Sequence, residues 1–439
     1  LDSLKVKLGD SEIEAKGKLT GLRRALLRKG TIKADLDVKS SGMKADQLLA
    51  AVQAGSRFNA ERITIDEDVS DAEFLKMVTV DTTSLTEVPS LIVIPSNLNA
   101  DIRIDASNVK YTDLDISQLN AGLIVKERCA QITGTEAKTN MGTITLDAFY
   151  ATRTKTDLKS GFSLNFKDIT AERVISLMPA VDSLMPMLKS FKGLLNCEIA
   201  ATAQLDTNMN ILTPSINGIM RITGDDLAIK DSPMYKSLAR KLLFKNKKEG
   251  HIEHMSVEGI ISNSTVEIFP FIIKMDRYTL ALSGIQNLDM SFKYHASLIK
   301  SPFLIKLGLD IYGEDFDNWK FKIGKPKYKN ADVPAFSSVI DETKVNLVQS
   351  IKDIFRKGVD AAIKDNNLDS VNEFKRKTNY VRAVDQQLEA LSEEEQKKLE
   401  EEEAAAAAEE AAAEGEGKEQ TEISADPATG VQPNVEQTN

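Results

Sequence analysis

A strict two-residue alternation of apolar and polar side chains, repeated along much of the chain, constrains the fold more than any other feature. In Leu98-Asn99-Ala100-Asp101-Ile102-Arg103-Ile104-Asp105 every even position is apolar and every odd position polar. The pattern returns from Leu195 to Asp206, in Thr143–Ala148, in Phe162–Phe166 and in Met290–Tyr294. Period two gives each strand one apolar and one wet face, as antiparallel sheets require. Turn signals such as Ser107-Asn108, Thr139-Asn140-Met141-Gly142 and Ser262-Asn263-Ser264 separate the runs. The expected fold is mostly β: an elongated antiparallel groove, a curved meander sheet, with a few short helices and a helical, partly disordered C-terminal tail.

Helices are expected over Lys44–Ala54, from Ala171 to Leu177, and after Asp231-Ser232-Pro233. In the last, Ser232 can cap and Pro233 suits the first helical position. Met234, Leu238 and Leu242 would share one face there, with Tyr235, Ala239 and Leu243 beside them. After about Ala331 the period changes to 3.6. Val348, Ile351, Phe355, Val359 and Ala362 then form a stripe that predicts an amphipathic helix over Ser337–Lys364. A second segment, Leu368–Leu391, carries Phe374, Val381, Val384, Leu388 and Leu391 at heptad-like spacing. From Ser392 the chain is Glu- and Ala-rich, and disorder is expected beyond Gly415. The expected organisation is a β-rich segment with a short helix over 1–94, a β-domain over 95–330, an amphipathic helical segment over 331–391 and a tail over 392–439.

Composition narrows the function. A formal net charge of -10 argues against nucleic-acid binding, because a phosphate backbone is held by cationic side chains. No apolar run approaches the ~18 residues of a membrane-spanning helix. The chain begins at Leu1 with no Met and no apolar leader, and so reads as a piece of a longer protein. Cys129 and Cys197 form no CxxC pair, and each needs no disulfide partner.

No catalytic constellation stands out: there is no P-loop, no GxSxG and no Gly-rich dinucleotide turn. His251 and His254 lie three apart, but on a strand that spacing opposes them, so no metal site is expected. Asp66, Glu67, Asp68, Asp71 and Glu73 lack the spacing of a calcium loop and read as a solvated turn. Asp315 and Asp317 form an isolated acidic pair, and Trp319 alternates with Phe321 and Ile323 as a packing residue. No cofactor is expected.

The order Gly224-Asp225-Asp226-Leu227-Ala228-Ile229-Lys230-Asp231-Ser232-Pro233, Val266-Glu267-Ile268-Phe269-Pro270-Phe271, Leu280-Ala281-Leu282-Ser283-Gly284 and Asp289-Met290-Ser291-Phe292-Lys293-Tyr294, leading to Ser301-Pro302-Phe303, resembles the AsmA-like C-terminal domain of Bacteroidetes-type bacteria. The similarity is clearest from Leu195 to Lys329 and extends in pattern from Pro95. AsmA-like proteins are similar to bridge-like lipid-transfer proteins, built as a β-groove with an apolar inner surface. The resemblance implies a periplasmic body, an N-terminal inner-membrane anchor outside this sequence, and a non-enzymatic role in outer-membrane assembly, phospholipid transport or protein targeting to membranes.

On that reading phospholipid acyl chains would lie against Leu98, Ile102, Ile104, Ile144, Leu146, Ile199, Ala201, Leu205, Leu280 and Leu282. Small residues such as Ala100, Ala106, Ala201 and Ala203 leave room in a groove, whereas sandwich cores favour larger fillers. The alternative is a structural or assembly factor with a closed β-core that binds other envelope proteins.

Overall fold

The computed structural model describes residues 3–26, 30–48, 50–51, 92–111, 114–154, 157–177, 186–206, 210–229, 233–241, 249–275, 277–301, 306–364, 368–378 and 380. All belong to one compact unit, Leu1–Val384; the second unit, Asp385–Asn439, lies outside the described residues.

Alternation becomes strands where it was expected. The first are β1 (Leu4–Leu8), β2 (Ser11–Thr20), β3 (Ile32–Lys44), β4 (Leu98–Tyr111), β5 (Leu114–Lys126) and β6 (Cys129–Thr139). There follow β7 (Gly142–Thr154), β8 (Asp157–Thr170), β9 (Phe191–Lys192), β10 (Leu194–Gln204), β11 (Asn217–Ile229) and β12 (Gly250–Ser262). The series ends with β13 (Thr265–Met275), β14 (Tyr278–Asn287), β15 (Phe292–Lys300), β16 (Gly308–Gly313) and β17 (Trp319–Gly324). They form one 17-stranded sheet that follows chain order, with β8 pairing β10 and the two-residue β9 beside the end of β11. Among the described residues β1 pairs only with β2 and β17 only with β16.

One pair departs from the expected antiparallel meander. β3 runs parallel to β4, from Ile32 opposite Leu98 to Lys44 opposite Lys110. A parallel neighbour needs a long crossover rather than a hairpin, and the chain between Lys44 and Leu98 supplies one. Through this pair the residues on both sides of position 95 share a single sheet.

The helices are α1 (Ala171–Leu177), α2 (Pro233–Lys241), α3 (Ser337–Lys352), α4 (Ile354–Lys357), α5 (Val359–Lys364) and α6 (Asp369–Lys377), besides a turn at Leu22–Leu26. α2 starts at Pro233 and buries Tyr235 and Ala239; Met234, Leu238, Leu242 and Leu243 lie outside the described side chains. Residues 45–48 and 50–51 are helical, while the rest of the expected Lys44–Ala54 helix lies outside the described residues. So do Asp66, Glu67, Asp68, Asp71, Glu73 and everything after Tyr380, including Val381, Val384, Leu388 and Leu391.

The single helix expected over Ser337–Lys364 is three. The chain breaks at Asp353 and again at Gly358, whose φ of +89° suits glycine. Breaking the rod lets it follow a curved sheet. The buried face is accordingly Val339, Ile340, Thr343, Leu347 and Ile351, with Ile354, Val359 and Ala362 after the kinks. Leu347 is 1% exposed, whereas Val348 and Phe355 are only half-buried.

Bulges and glycines bend the sheet. Between Ile268 and Phe271 the pairing of β13 with β14 shifts, and Pro270 sits in that irregularity. Proline has no ladder N–H and is tolerated inside a sheet at such a bulge. Gly259 and Gly284 permit close approach of neighbouring strands: a Cβ on Gly259 would stand 2.4 Å from the Glu267 carbonyl oxygen, and one on Gly284 2.3 Å from Tyr294 Cδ1. A Cβ on Gly42, by contrast, would meet nothing within 4 Å. Gly259→Val is therefore expected to lower stability by about 1–3 kcal/mol through overpacking, and Gly42→Ala to change it by less than about 0.5 kcal/mol, as read from urea unfolding midpoints.

Candidate functional site

Residues directly opposed across paired strands leave a sheet on the same face. One such row runs Leu36–Ile102–Leu123–Ile132–Ala148–Phe162–Ala201–Gly218–Ile261–Val266, from β3 to β13. Beside it a second runs Leu146–Leu164–Ile199–Met220–Gly259–Ile268–Gly284–Tyr294–Ile311–Phe321, from β7 to β17. The two rows are neighbours on one face, called here the inner face.

The structure brings all ten sequence-expected lining residues to this face. Leu98, Ile102, Ile104, Ile144, Leu146 and Leu282 are half-buried there. Ile199, Ala201, Leu205 and Leu280 are buried, at 8%, 3%, 9% and 7% exposure. Burial varies within each part of the sheet, since Ala106, Val109, Ile116, Ala137 and Phe166 of β4–β8 are buried in the same inner cluster. From β10 to β16 the inner face is a packed core, including Met220, Ile222, Val266, Phe292, Leu298 and Leu309. The buried helical members of that cluster are Ala171 and Val174 of α1, Leu188, and Tyr235 and Ala239 of α2.

The outer face differs between the two halves. On β3 and β4 it is charged and exposed: Arg103 bonds Asp37 at 2.5 Å and Asp35 at 2.8 Å. In the middle of the sheet it is covered by α3–α6, over a second core of Cys129, Phe149, Ala151, Ala200, Ile219, Ile260 and Phe269. Phe336 stacks on Phe269 at 3.8 Å between ring centroids, with Phe374 and Tyr380 edge-on to Phe336.

Sequence reasoning missed this docking surface, although a signal existed. Gly259-Ile260-Ile261 and Ile268-Phe269-Pro270-Phe271-Ile272-Ile273 are apolar without alternation, the mark of a strand buried on both faces. Polar contacts lock the helices down. Arg221 on β11 donates to Glu258, Asp341 and the Ser337 carbonyl, while Lys344 pairs with Glu198 at 3.0 Å. Gln131 donates to the Ile351 carbonyl. Lys375 meets the buried carboxylate of Glu267 at 2.7 Å, with side-chain exposures of 12% and 3%.

A Ser–His–Asp arrangement also escaped notice in the sequence. His295 Nδ1 lies 2.6 Å from Asp310, and Nε2 lies 3.0 Å from Ser297 Oγ. Superficially this is a nucleophile, a base and an orienting acid. However, the Lys327 N–H donates to Nε2 and the Tyr328 N–H to Ser297 Oγ, and Ser297 is 0% exposed. Nε2 is thus an acceptor, Nδ1 carries the proton toward Asp310, and the serine has no open side for a substrate. The group clasps the strap between β17 and α3 onto the outer face.

The other candidates separate into local roles. His254 contacts Asp225 at 2.6 Å, and His251 lies 3.8 Å from Asp226, as two distinct pairs. Asp315 accepts from the Asp317 and Asn318 N–H groups and the Asn318 side chain, closing the β16–β17 turn. The Asn318 hydrogen bonds hold its carboxyl below the usual carboxylate range. Trp319 and Phe321 pack half-buried against the inner core, while Ile323 is 62% exposed at the β17 edge. Among the described residues no three His, Cys, Asp or Glu side chains converge as metal ligands. Among them too, no helix is long and apolar enough to cross a membrane.

Cys197 belongs to the inner core and Cys129 to the outer one, so the sheet itself stands between them. Burial pushes the Cys197 thiol up to about 12. No family model, curated protein or solved structure matches this chain.

Two results are expected. Neither thiol should be alkylated at pH 8 in the native protein, and both should react after unfolding, with equal electrophoretic mobility with and without reductant. Removing one partner of a buried ion pair costs about 3–5 kcal/mol, whereas replacing both by apolar groups is often neutral. Lys375→Ala should therefore lower the unfolding free energy by several kcal/mol, and Glu267→Leu with Lys375→Leu should recover most of that loss.

Proposed function

We propose that this chain is a non-enzymatic envelope protein of the AsmA type that holds phospholipid acyl chains against its inner face. Such a role serves outer-membrane assembly, lipid transport or protein targeting to membranes. The observation that carries the reading is the half-buried apolar surface of β3–β8, continuous from strand to strand through Leu36, Ile102, Leu123, Ile132, Ala148 and Phe162. A row of partly accessible apolar side chains is the kind of surface on which apolar ligands are held. The resemblance of the Gly224–Pro233, Val266–Phe271 and Asp289–Tyr294 segments to the AsmA-like domain supports it independently.

Each CH₂ withdrawn from water contributes about 0.8 kcal/mol, so one tail gains several kcal/mol with no polar contact. Binding of that kind tolerates different headgroups and lets the lipid slide, which suits transport. In the same reading the body is periplasmic and tethered to the inner membrane by a segment outside this sequence.

A second reading, a closed-core assembly factor that binds other envelope proteins, draws on the buried inner cluster and the helix-covered outer face. Ile102 and Arg103 discriminate, because they are adjacent in β4 yet leave opposite faces. A photo-crosslinker at Ile102 should capture phospholipid in cells, and one at Arg103 should capture little. Equal capture at both would indicate indiscriminate membrane contact; no lipid at either, with none copurifying in native mass spectrometry, would favour the assembly factor.

A further inference from the structure

We infer that the β17 edge and the strap that follows it form a docking surface for an anionic phospholipid membrane. This deepens the lipid-holding reading above by naming the surface on which lipid is met, on evidence of its own. From Trp319 to Ala331 the sequence carries Lys320, Lys322, Lys325, Lys327 and Lys329 and no acidic residue. In a chain of net charge -10 that run is a local reversal of sign.

The strand sorts these residues by face. Trp319, Phe321 and Ile323 stand opposite Gly313, Ile311 and Leu309 on the inner face, with Lys320 and Lys322 opposite Tyr312 and Asp310 on the outer. Lys293 of β15 joins the outer row through Tyr312. Lys293, Lys320, Lys322, Lys325 and Lys329 are exposed, and none of them forms an ion pair with a described residue. Lysines elsewhere on the outer face have acidic partners: Lys16 has Glu14, Lys344 has Glu198 and Lys375 has Glu267. Beside the row, Asp310 is taken up by His295 and Asp315 by Asn318, while Glu314 and Asp317 stand in the turn before the strand.

Lysines on an edge strand also discourage pairing with another chain. A two-fold β17 pair would set Lys320 and Lys322 against their own copies, and pairing with β1 would bring them to Lys5 and Lys7. That role accounts for Lys320 and Lys322 alone. Lys325 and Lys329 lie past Gly324, the last paired residue of the strand, where there is no ladder to protect. Nor does it account for Ile323, 62% exposed beside the half-buried Trp319. An anionic bilayer meets both halves of the pattern: lysines lie among phosphate headgroups, while Ile323 and Trp319 reach the acyl boundary.

Sedimentation of the full chain with vesicles tests this, using phosphatidylglycerol mixed with phosphatidylcholine against phosphatidylcholine alone. At low salt the chain should bind the anionic vesicles despite its net negative charge, and should leave them as salt is raised. A lysine near an anionic surface is worth about fivefold in partitioning, so Lys320→Gln, Lys322→Gln and Lys325→Gln together should weaken binding by about a hundredfold. Lys18→Gln, Lys33→Gln and Lys39→Gln together change the net charge equally and should leave binding nearly unchanged. Ile323→Ser should weaken it several-fold. No binding of the wild-type chain to anionic vesicles, or an equal loss in the two triple variants, would overturn the docking surface. So would capture by polyglutamate with none by vesicles, which would assign the lysines to an acidic protein. Self-association of the first triple variant with vesicle binding unchanged would leave them only the edge-blocking role. Each of these outcomes leaves lipid holding to be judged separately, by crosslinking at Ile102.

Discussion

Side chains opposed across a pair of strands must share a face, and the whole molecule depends on that rule being kept through seventeen strands. A slip of one residue in any single pair would turn every later apolar residue to the other side. The row from Leu36 to Val266 crosses ten strands without such a slip. Where the sequence does not alternate, a bulge resets the phase. Ile268 and Phe271 are three apart, yet both join the inner cluster because the pairing shifts between them.

With the inner face fixed by register, the outer face becomes available for a different task. In β3 and β4 it carries Asp35, Asp37, Asp101, Arg103 and Asp105 in water. Toward β12 and β13 it turns apolar and receives α3–α6. Those helices bury aromatic surface and bring charge with them, so the charges must find partners. Glu198, Arg221, Glu258, Asp341 and Lys344 form one linked set, and Glu267 with Lys375 another. The desolvation cost of such groups makes them weak sources of stability and strong sources of position. They hold the helices in one register on the sheet, while the His295–Ser297–Asp310 clasp anchors the strap that leads there.

Curvature decides what the inner face can do. Glycines on the inner face and bulges along β13–β15 let neighbouring strands approach closely. The earlier strands also carry pairing shifts, at Glu12/Ile13, Ile116/Gln118, Asn120/Gly122, Ile132/Thr135 and Thr152/Thr154, and mix buried with partly accessible apolar side chains. One continuous pattern of residues thus produces both buried and partly accessible positions along the inner face.

Much of this was legible in the residues themselves. Alternation is a local property, so the strands from Leu98, Thr143, Phe162 and Leu195 and the common face of Ile102, Ile144, Ile199 and Leu280 follow from period two alone. Pro233 likewise marks its helix start. Three things were decided by tertiary structure. The parallel β3–β4 pair depends on a crossover whose ends are more than fifty residues apart in sequence. The buried stripe of α3–α5 is set by the curve of the sheet it lies on, which places Leu347 rather than Val348 inward. The difference in exposure between Ile102, half-buried, and Ile199, buried, depends on what lies against each. Side-chain period records which face a residue takes, but not how far that face bends or what comes to lie against it, because those depend on strands and helices distant in the chain.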